Sequence, residues 1–540
     1  MSGTLQNRLD WLRAAGVGAA VRGGLRGVEK ECLRVTPAGT MALTPHPAAL
    51  GSALTHPFIT TDYSEALLEF VTPPVDASGD ALDFLLDVHQ FTAAQLDDEL
   101  LWAASMPCAM TTDDAVPIAR YGTSNVAMLK HVYRRGLGYR YGRVMQTISG
   151  IHFNYSIDSA LWAVLREHEG GGADLQTFVS EGYFRLLRNF RRYGWLVLYL
   201  FGCSPAICRS FLAGDDAGLA RLGANTLYGP YATSLRMSDI GYKNQAQSKV
   251  VVSLASLEAY VRDLRDAISR PYPPYEDIGV QRDGEYRQLS ANLLQIENEF
   301  YSNIRPKRVV HSGERPTDAL QRRGVEYVEL RAIDVNLFDP AGIDEAQLRF
   351  LELFVLLCML NESAQVSDDE LRRLEANWLA VAREGRRPGL KLARQNASGG
   401  ADEIALNDWA LRILDHMRGI AELADAGLDD APYTRALEQQ FAKQRDADAT
   451  PSAQVLAQLA DRGESFFEFG MRLSRQHMDF FRTRSESHSG RRAMLAEEAA
   501  KSLGRQAAIE AADSMPFDEY LSRYLAGTLE PTERRRSPEG

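Results

Sequence analysis

Two glutamates stand two positions apart in GVEKECLRV, residues 27–35. The alternation of apolar and charged residues predicts a strand, and on a strand Glu29 and Glu31 leave the same face. Like charges held side by side repel, so the pair needs a positive partner. Three further strand-like segments repeat the pattern. TTDYSEALLEF brings Asp62, Glu65 and Glu69. LLQIENEFY puts Gln295, Glu297, Glu299 and Tyr301 on one parity, with Leu294, Ile296 and Phe300 on the other. VEYVELRAID sets Tyr327, Glu329 and Arg331 opposite Val328 and Leu330. Each segment alone also fits the solvated outer face of a half-exposed sheet. Glu69 does not, because it interrupts the apolar run ALLEFV, where a carboxylate must be neutral, paired or bound to a cation. If the polar faces line one cavity, divalent cations resolve the repulsion. Oxygen-rich donor sets favour Mg²⁺ or Mn²⁺, and Mg²⁺ commonly holds substrate phosphates as well.

Other groups could join that cavity. His152 in SGIHFNYS shares parity with Ile148, Gly150 and Asn154, which suits a ligand as well as a satisfied core histidine. Arg331 lies on the Glu329 face. Arg236 lies in RMSDIGY, and IRPKR supplies Arg305, Lys307 and Arg308. Guanidinium forks there suit a carboxylate or phosphate. The chain has no GxxxxGK[ST] and no GxSxG, and GVGAAVRGG at 16–24 only half matches GxGxxG and follows a helix. A bound nucleotide is therefore expected to meet metals and arginines rather than a phosphate loop.

The elements that position these groups fall into two textures. Helical patterns are expected at 5–21, 78–101, 175–201 and 247–268, and strands at 27–36, 66–72, 142–157, 286–301 and 324–334. From about 340 onward helical periodicity dominates, with NASGGADE (396–403) as a loop or linker. The 540 residues are too many for one small domain. The net charge of −12 argues against nucleic-acid and anionic-membrane partners, and no apolar run is long enough to span a bilayer. The N-terminal residues have no leader pattern. The five cysteines, Cys32, Cys108, Cys203, Cys208 and Cys358, form no CxxC pair, and their odd count points to reduced thiols in the cytoplasm.

Longer blocks carry a resemblance. LTPHPAALGSALTHPFITTDYSEALLEFVTPP, RYGTSN, YGRVMQTISGIHFNYS, YLFGCSPAIC, YATSLRMSDIGY, LLQIENEFYSNIRPKR and GVEYVELRAIDVNLFDP together resemble the bacterial glutamate–cysteine ligases. The likeness runs from about residue 9 to about 390, with a looser helical match to about 525. It implies an α+β fold like that of the glutamine synthetase superfamily, whose curved antiparallel sheet makes a funnel-shaped active site surrounded by helices. The expected organisation is a catalytic region over 1–390, a helical C-terminal region over 391–525 packed on it, and a disordered tail over 526–540.

The implied reaction joins L-glutamate to L-cysteine with ATP, through a γ-glutamyl phosphate, in the first step of glutathione synthesis. Glutathione is the expected feedback inhibitor. A related ligase with another amine acceptor is the alternative. Carried onto this chain, the implied metal ligands are Glu29, Glu31, Asp62, Glu69, His152 and Glu329, for Mg²⁺ or Mn²⁺. Arg236 and Arg331 would hold the substrate carboxylate and the acyl phosphate. Tyr133, Tyr242 and Tyr301 would line the cysteine pocket. Ile148 would lie near the nucleotide, and Arg305 and Lys307 are candidate phosphate contacts. Glu65, Glu297 and Glu299 are expected to be structural.

Overall fold

The GVEKECLRV segment forms the middle of the longest strand of an antiparallel sheet, in a computed structural model that describes residues 3–109, 112–212, 216–241, 250–396 and 399–530. The strands are β1 (Leu25–Val35), β2 (Ile59–Thr61), β3 (Leu67–Val71), β4 (Leu100–Leu101), β5 (Ile151–Ser156), β6 (Ile304–Lys307) and β7 (Tyr327–Ile333). Their order is β6-β7-β5-β1-β3-β2, and β4 pairs with the far end of β1. This is the α+β, antiparallel-sheet architecture expected from the sequence.

The register decides which side chains meet. Glu31 pairs with Glu69, Glu29 with His152, Asn154 with Glu329, and Glu329 with Arg305. Directly opposed residues share a face, so charges from five strands project from one side. A register shift in β7 between Leu330 and Ile333 falls at Arg331, and such bulges re-aim a side chain.

The other face is apolar, with Val28, Cys32, Leu68, Phe70, Phe153, Tyr155, Val328 and Leu330 all buried. The helix Ser78–Ala93 packs on β1 and β3, Leu175–Tyr193 on β6, and Trp195–Phe201 on β7. The back of β1 also carries Arg26, Lys30 and Arg34, each buried. Arg26 grips Glu352 through two bonds of 3.0 and 2.9 Å. Lys30 donates to the Pro340 carbonyl at 3.1 Å, and Arg34 meets Glu99 at 2.7 Å. β1 is thus acidic on one face and basic on the other, and every back-face cation has a fixed partner, as buried charge requires.

Later helices complete the shell. Glu345–Leu360 packs on Leu175–Tyr193 and on Leu406–Asp425, and Phe466–Thr483 packs on Ser78–Ala93. One hydrophobic core runs from Leu5 to Ala499. A separate cluster seats the helix Phe517–Ala526 against the helix Asn125–Tyr141, with Leu521 and Tyr524 meeting Leu129, Val132, Leu289 and Ile296. Arg315 Nη1 donates to the Leu525 carbonyl at 3.2 Å, and Asn125 Nδ2 reaches Asp513 and Met515.

Several expectations are corrected. The segment 286–301 is not a strand. After Glu285–Tyr286 it runs irregularly to a single 3₁₀ turn at Glu297–Glu299. Its backbone is satisfied by side chains rather than by a ladder, with Gln295 N donating to Glu299 and Leu289 N to Gln295. The strand expected at 142–157 is a 3₁₀ turn at Val144–Thr147 followed by β5. The helix at 78–101 ends at Ala93, and the first helix breaks into Gly3–Ala14 and Gly18–Arg22. The linker at 396–403 overlaps a hairpin of Lys391–Gln395 with Ala401–Ala405. Cys108 and Cys208 are not free thiols but form a disulfide, with Cα atoms 5.3 Å apart. Spacing rules look for near neighbours, whereas here the chain returns after 100 residues. Cys32, Cys203 and Cys358 are buried and free. Among the described residues no helix is long and apolar enough to cross a membrane. Tyr242 and the last ten residues lie outside the described residues.

Candidate active site

The polar face of the sheet gathers its carboxylates around one histidine. His152 Nδ1 lies 2.9 Å from Glu29 Oε2, and His152 Nε2 lies 3.7 Å from Glu31 Oε1. Asn154 Nδ2 donates to Glu29 Oε1 at 2.9 Å, and the Gly150 backbone N–H donates to Glu31 Oε2 at 2.6 Å. Glu329 receives Lys307 Nζ on Oε1 at 3.3 Å and has Arg331 Nη1 3.3 Å from Oε2.

The charges divide into two unequal halves. Burial raises the affinity of Glu329 for a proton, but Lys307, Arg331 and His152 hold its carboxyl well below the ordinary range. Glu29 is likewise held low against burial by its bond to His152. Glu31 is pushed up by burial and by Asp62. Glu69 is pushed furthest, by burial and by Glu29, Asp62 and Glu31, with Arg134 opposing. The Glu29–Glu329 half is compensated by protein cations; the Glu31–Glu69 half is not.

These residues form two overlapping groups, Glu29–His152–Glu329 and Glu31–Glu69–His152, in which one ligand atom from each residue lies within 4.8 Å of the others. Glu329 Oε2 and Asn154 Oδ1 are buried and accept no hydrogen bond. An oxygen-rich set with spare lone pairs and an uncompensated negative half fits a hard divalent cation.

A cavity of about 260 Å³ opens in front of the sheet. Glu31, Asp62, His152, Arg236, Arg305 and Arg331 line it, together with Tyr133 and Tyr301. Arg236 is buried and donates to the carbonyls of Ile333 and Arg331 at 3.3 and 3.1 Å, with Asp334 3.6 Å away. Ser204 and Ser234 donate to Asp334 in turn. Position 150 must be glycine, because a Cβ there would collide with the Arg236 guanidinium. Arg305 is anchored on the Asn298 and Phe300 carbonyls, and burial and Arg331 lower its pKa. Glu29, Glu69, Glu329 and Lys307 stand on the sheet beside this cavity, through the register and contacts above. Ile148 is fully buried in the main core.

Glu65, Glu297 and Glu299 have structural bonds. Glu65 accepts from the His46 and Arg120 backbone N–H groups, and Glu297 accepts from Thr317 Oγ1 at 2.6 Å. Glu299 also lines the cavity, but it is committed to Arg140 at 2.9 Å and to the Tyr141 hydroxyl at 2.5 Å. Sequence reasoning missed Arg134, Leu137 and Tyr141, which line the cavity from the helix Asn125–Tyr141. Arg134 Nε donates to the Asp62 carbonyl and its guanidinium lies over the Tyr121 ring. With Tyr133, the 3–4 spacing of these residues marks one helix face, a signal that was available in the sequence.

The site is an acidic, cation-adapted sheet face beside anion-binding arginines, the layout of an enzyme that activates a carboxylate with phosphate. The family described as glutamate-cysteine ligase matches residues 9–381. The chain is 49% identical over 526 residues to the glutamate–cysteine ligase of Alcanivorax borkumensis, covering 96% of this chain and 99% of the relative. It is 47% identical over 529 residues to that of Pseudomonas aeruginosa PAO1, covering 98% and 99%. A 2.0 Å crystal structure of the Francisella tularensis glutamate–cysteine ligase in complex with AMP superposes with a TM-score of 0.87 at 36% identity, covering 94% of this chain and 98% of that one. The chain belongs to the glutamate–cysteine ligase family, and it is a ligase.

Proposed function

We propose that this cytoplasmic enzyme uses ATP to join the γ-carboxylate of L-glutamate to the amine of L-cysteine, giving γ-glutamylcysteine, ADP and phosphate. The observation that carries this reading is the convergence of Glu29, Glu31, Glu69, His152 and Glu329 on one sheet face, beside Arg236 and Arg331. A free carboxylate is a poor acylating agent, and transfer of the ATP γ-phosphoryl group makes it a good one. Phosphoryl transfer depends on alignment and charge neutralisation more than on covalent catalysis.

Mg²⁺ or Mn²⁺ would be held by Glu29, His152 and Glu329 and by Glu31, Glu69 and His152, with Asp62 at the cavity wall. When bound, these ions supply neutralisation of the phosphate oxygens. Arg331 presents its guanidinium to the cavity while Glu329 keeps it charged and fixed. Arg236 is anchored by one bond from each of its two terminal nitrogens to a carbonyl, which leaves further N–H donors for a ligand. Together they bind the glutamyl carboxylate and then the dianion of the acyl phosphate, where negative charge grows. Lys307 and Arg305 on β6 would offer further donors to the ATP phosphates, and Ile148, which is fully buried, could support the nucleotide only from behind the wall. Tyr133 and Tyr301 wall the acceptor pocket. There the cysteine amine attacks the acyl carbon, a C–N bond forms, and phosphate leaves with the C–O electron pair. Glutathione carries both the γ-glutamyl and cysteinyl groups, so it is the expected competitor for the same pockets.

A coupled ADP-release assay with a panel of amine acceptors tests the reading. ADP release is expected to need glutamate, cysteine and a divalent cation together, with γ-glutamylcysteine seen by mass spectrometry. Turnover that ignores cysteine, or that prefers another amine, overturns the acceptor assignment.

A further inference from the structure

A second cavity, of about 340 Å³, lies away from the sheet, where the helices Leu175–Tyr193, Asp368–Glu384 and Leu406–Asp425 meet the hairpin strand Lys391–Gln395. That volume is at the small end of ligand pockets. Trp409, Arg412, Ile413 and His416 all line it. Their i, i+3, i+4, i+7 spacing presents one face of one helix to the cavity. Arg394 enters from the hairpin.

The charges at this cavity do not cancel internally. Arg192 is spent, gripping Glu370 at 2.6 and 3.0 Å and Ser363 at 2.7 Å. Glu370 is therefore spent too, and the exposed Glu362 also lines the cavity, so three arginines face two carboxylates. Among the described residues Arg394 and Arg412 have no ion-pair partner, although the protein as a whole carries a net charge of −12. The interior wall adds a second unmet demand. Asn189 is fully buried, and its amide nitrogen donates to the carbonyls of Cys358, Asn361 and Glu362. Its oxygen accepts nothing, a state with a real cost in a buried polar group. The wall also has an apolar part, formed by Leu357, Leu374, Ile413 and the Trp409 ring, itself braced by Trp195 at 5.2 Å.

Two guanidiniums without an ion-pair partner, Arg394 half-buried and Arg412 exposed, line one cavity with an unsatisfied buried acceptor and an apolar wall, and together they describe one kind of guest. From this geometry we infer that the cavity is a second ligand site, for a small carboxylate with an apolar body: an apolar amino acid or a short peptide that ends in one. The carboxylate pairs with Arg394 and Arg412, and an N–H of the ligand donates to Asn189 Oδ1. This assignment does not rest on the ligase reading.

The test is titration of the full chain, followed by tryptophan fluorescence, with Trp409→Phe as the blank. The probes are L-phenylalanine, glycyl-L-phenylalanine and phenethylamine, which lacks the carboxylate. At least one of the two carboxylates is expected to bind with a dissociation constant below about 1 mM. Binding of the dipeptide alone assigns the site to peptide C-termini; binding of phenylalanine assigns it to the free amino acid. Phenethylamine is expected to bind at least about tenfold more weakly, which is a 1.4 kcal/mol difference. The double variant Arg394→Ala/Arg412→Ala is expected to lose binding about tenfold or more while ligase turnover, which shows the fold intact, is unchanged. Arg331→Lys, which alters the other site, is expected to bind as the parent does. Absence of a Trp409-dependent signal with both carboxylates overturns the inference, as does an affinity unchanged in the double variant.

Discussion

Glu31 on β1 and Glu69 on β3 are direct cross-strand partners, two carboxylates facing each other across an antiparallel pair, and among the described residues neither forms an ion pair with a lysine or arginine. Like charges in that position destabilise a sheet. The arrangement persists because the rest of the sheet is over-determined by its apolar back, and it fits a site whose working state includes a bound cation.

Glu69→Gln separates those two effects. Removing one charge relieves repulsion, so the chelator-treated variant is expected to melt about 1 °C or more above the parent. The same change removes a ligand, so turnover falls about 10²-fold or more and the stabilisation by added Mg²⁺ shrinks. Calorimetry with and without Mg²⁺, beside the ADP-release assay, checks both. Near-normal kcat removes Glu69 from the metal site.

Arg331→Lys keeps the charge and loses the fork. Glu329 and the acyl phosphate would each meet a single ammonium where a planar pair of donors stood. A fall in kcat/KM of about 10²-fold is expected, with an unchanged melting temperature. Steady-state kinetics with glutamate varied decides it, and an unaltered kcat/KM places Arg331 outside the site.

Glu299 gives the contrasting case. It lines the cavity, yet its side chain and that of Arg140 are both fully shielded. Glu299→Gln leaves a buried guanidinium without its counter-charge, so a loss of about 3–5 kcal/mol in unfolding free energy is expected. Denaturant titration measures that loss. A variant as stable as the parent but inactive would instead make Glu299 catalytic.

Acid sensitivity is set outside the cavity, by histidines that do not line it. His89 is sandwiched between Phe70 and Phe481, and burial and Lys30 hold its imidazole well below its ordinary pKa. His46 and His56 are lowered to about 4, by burial and by Arg34 and Arg505 respectively. The unfolded chain therefore takes up these protons first. Stability is complete above about pH 6.5 and falls as pH drops towards 4, by roughly 1.4 kcal/mol per pH unit for each histidine still neutral in the folded state. His89→Phe is expected to flatten that slope by about one proton, read from urea midpoints between pH 7 and 4.5.

The front of the sheet was legible because a two-residue period is hard to disguise. Glu29, Glu31, His152, Glu329 and Arg331 all fall where alternation puts them. The back of β1 was not, since alternation treats Arg26, Lys30 and Arg34 as strand charges and says nothing of partners such as Glu352, more than 300 residues away. LLQIENEFY misled for a related reason. Its period is that of a strand, but the residues that alternate are bonded to their own loop, to Arg140 and to Thr317. Arg134 was readable from helical spacing beside Tyr133, whereas the Cys108–Cys208 link depends on topology alone.

Tyr133 packs against the cluster held by Leu521 and Tyr524. One wall of the cavity thus leans on the helix Phe517–Ala526. The sheet with its carboxylates and arginines is built from residues 25–333, yet the cavity stays unfinished until residues 517–526 dock. Loss of that one late helix, by nonsense mutation or by proteolysis, would be felt first as weakened capture of the incoming amine, with ATP handling largely spared.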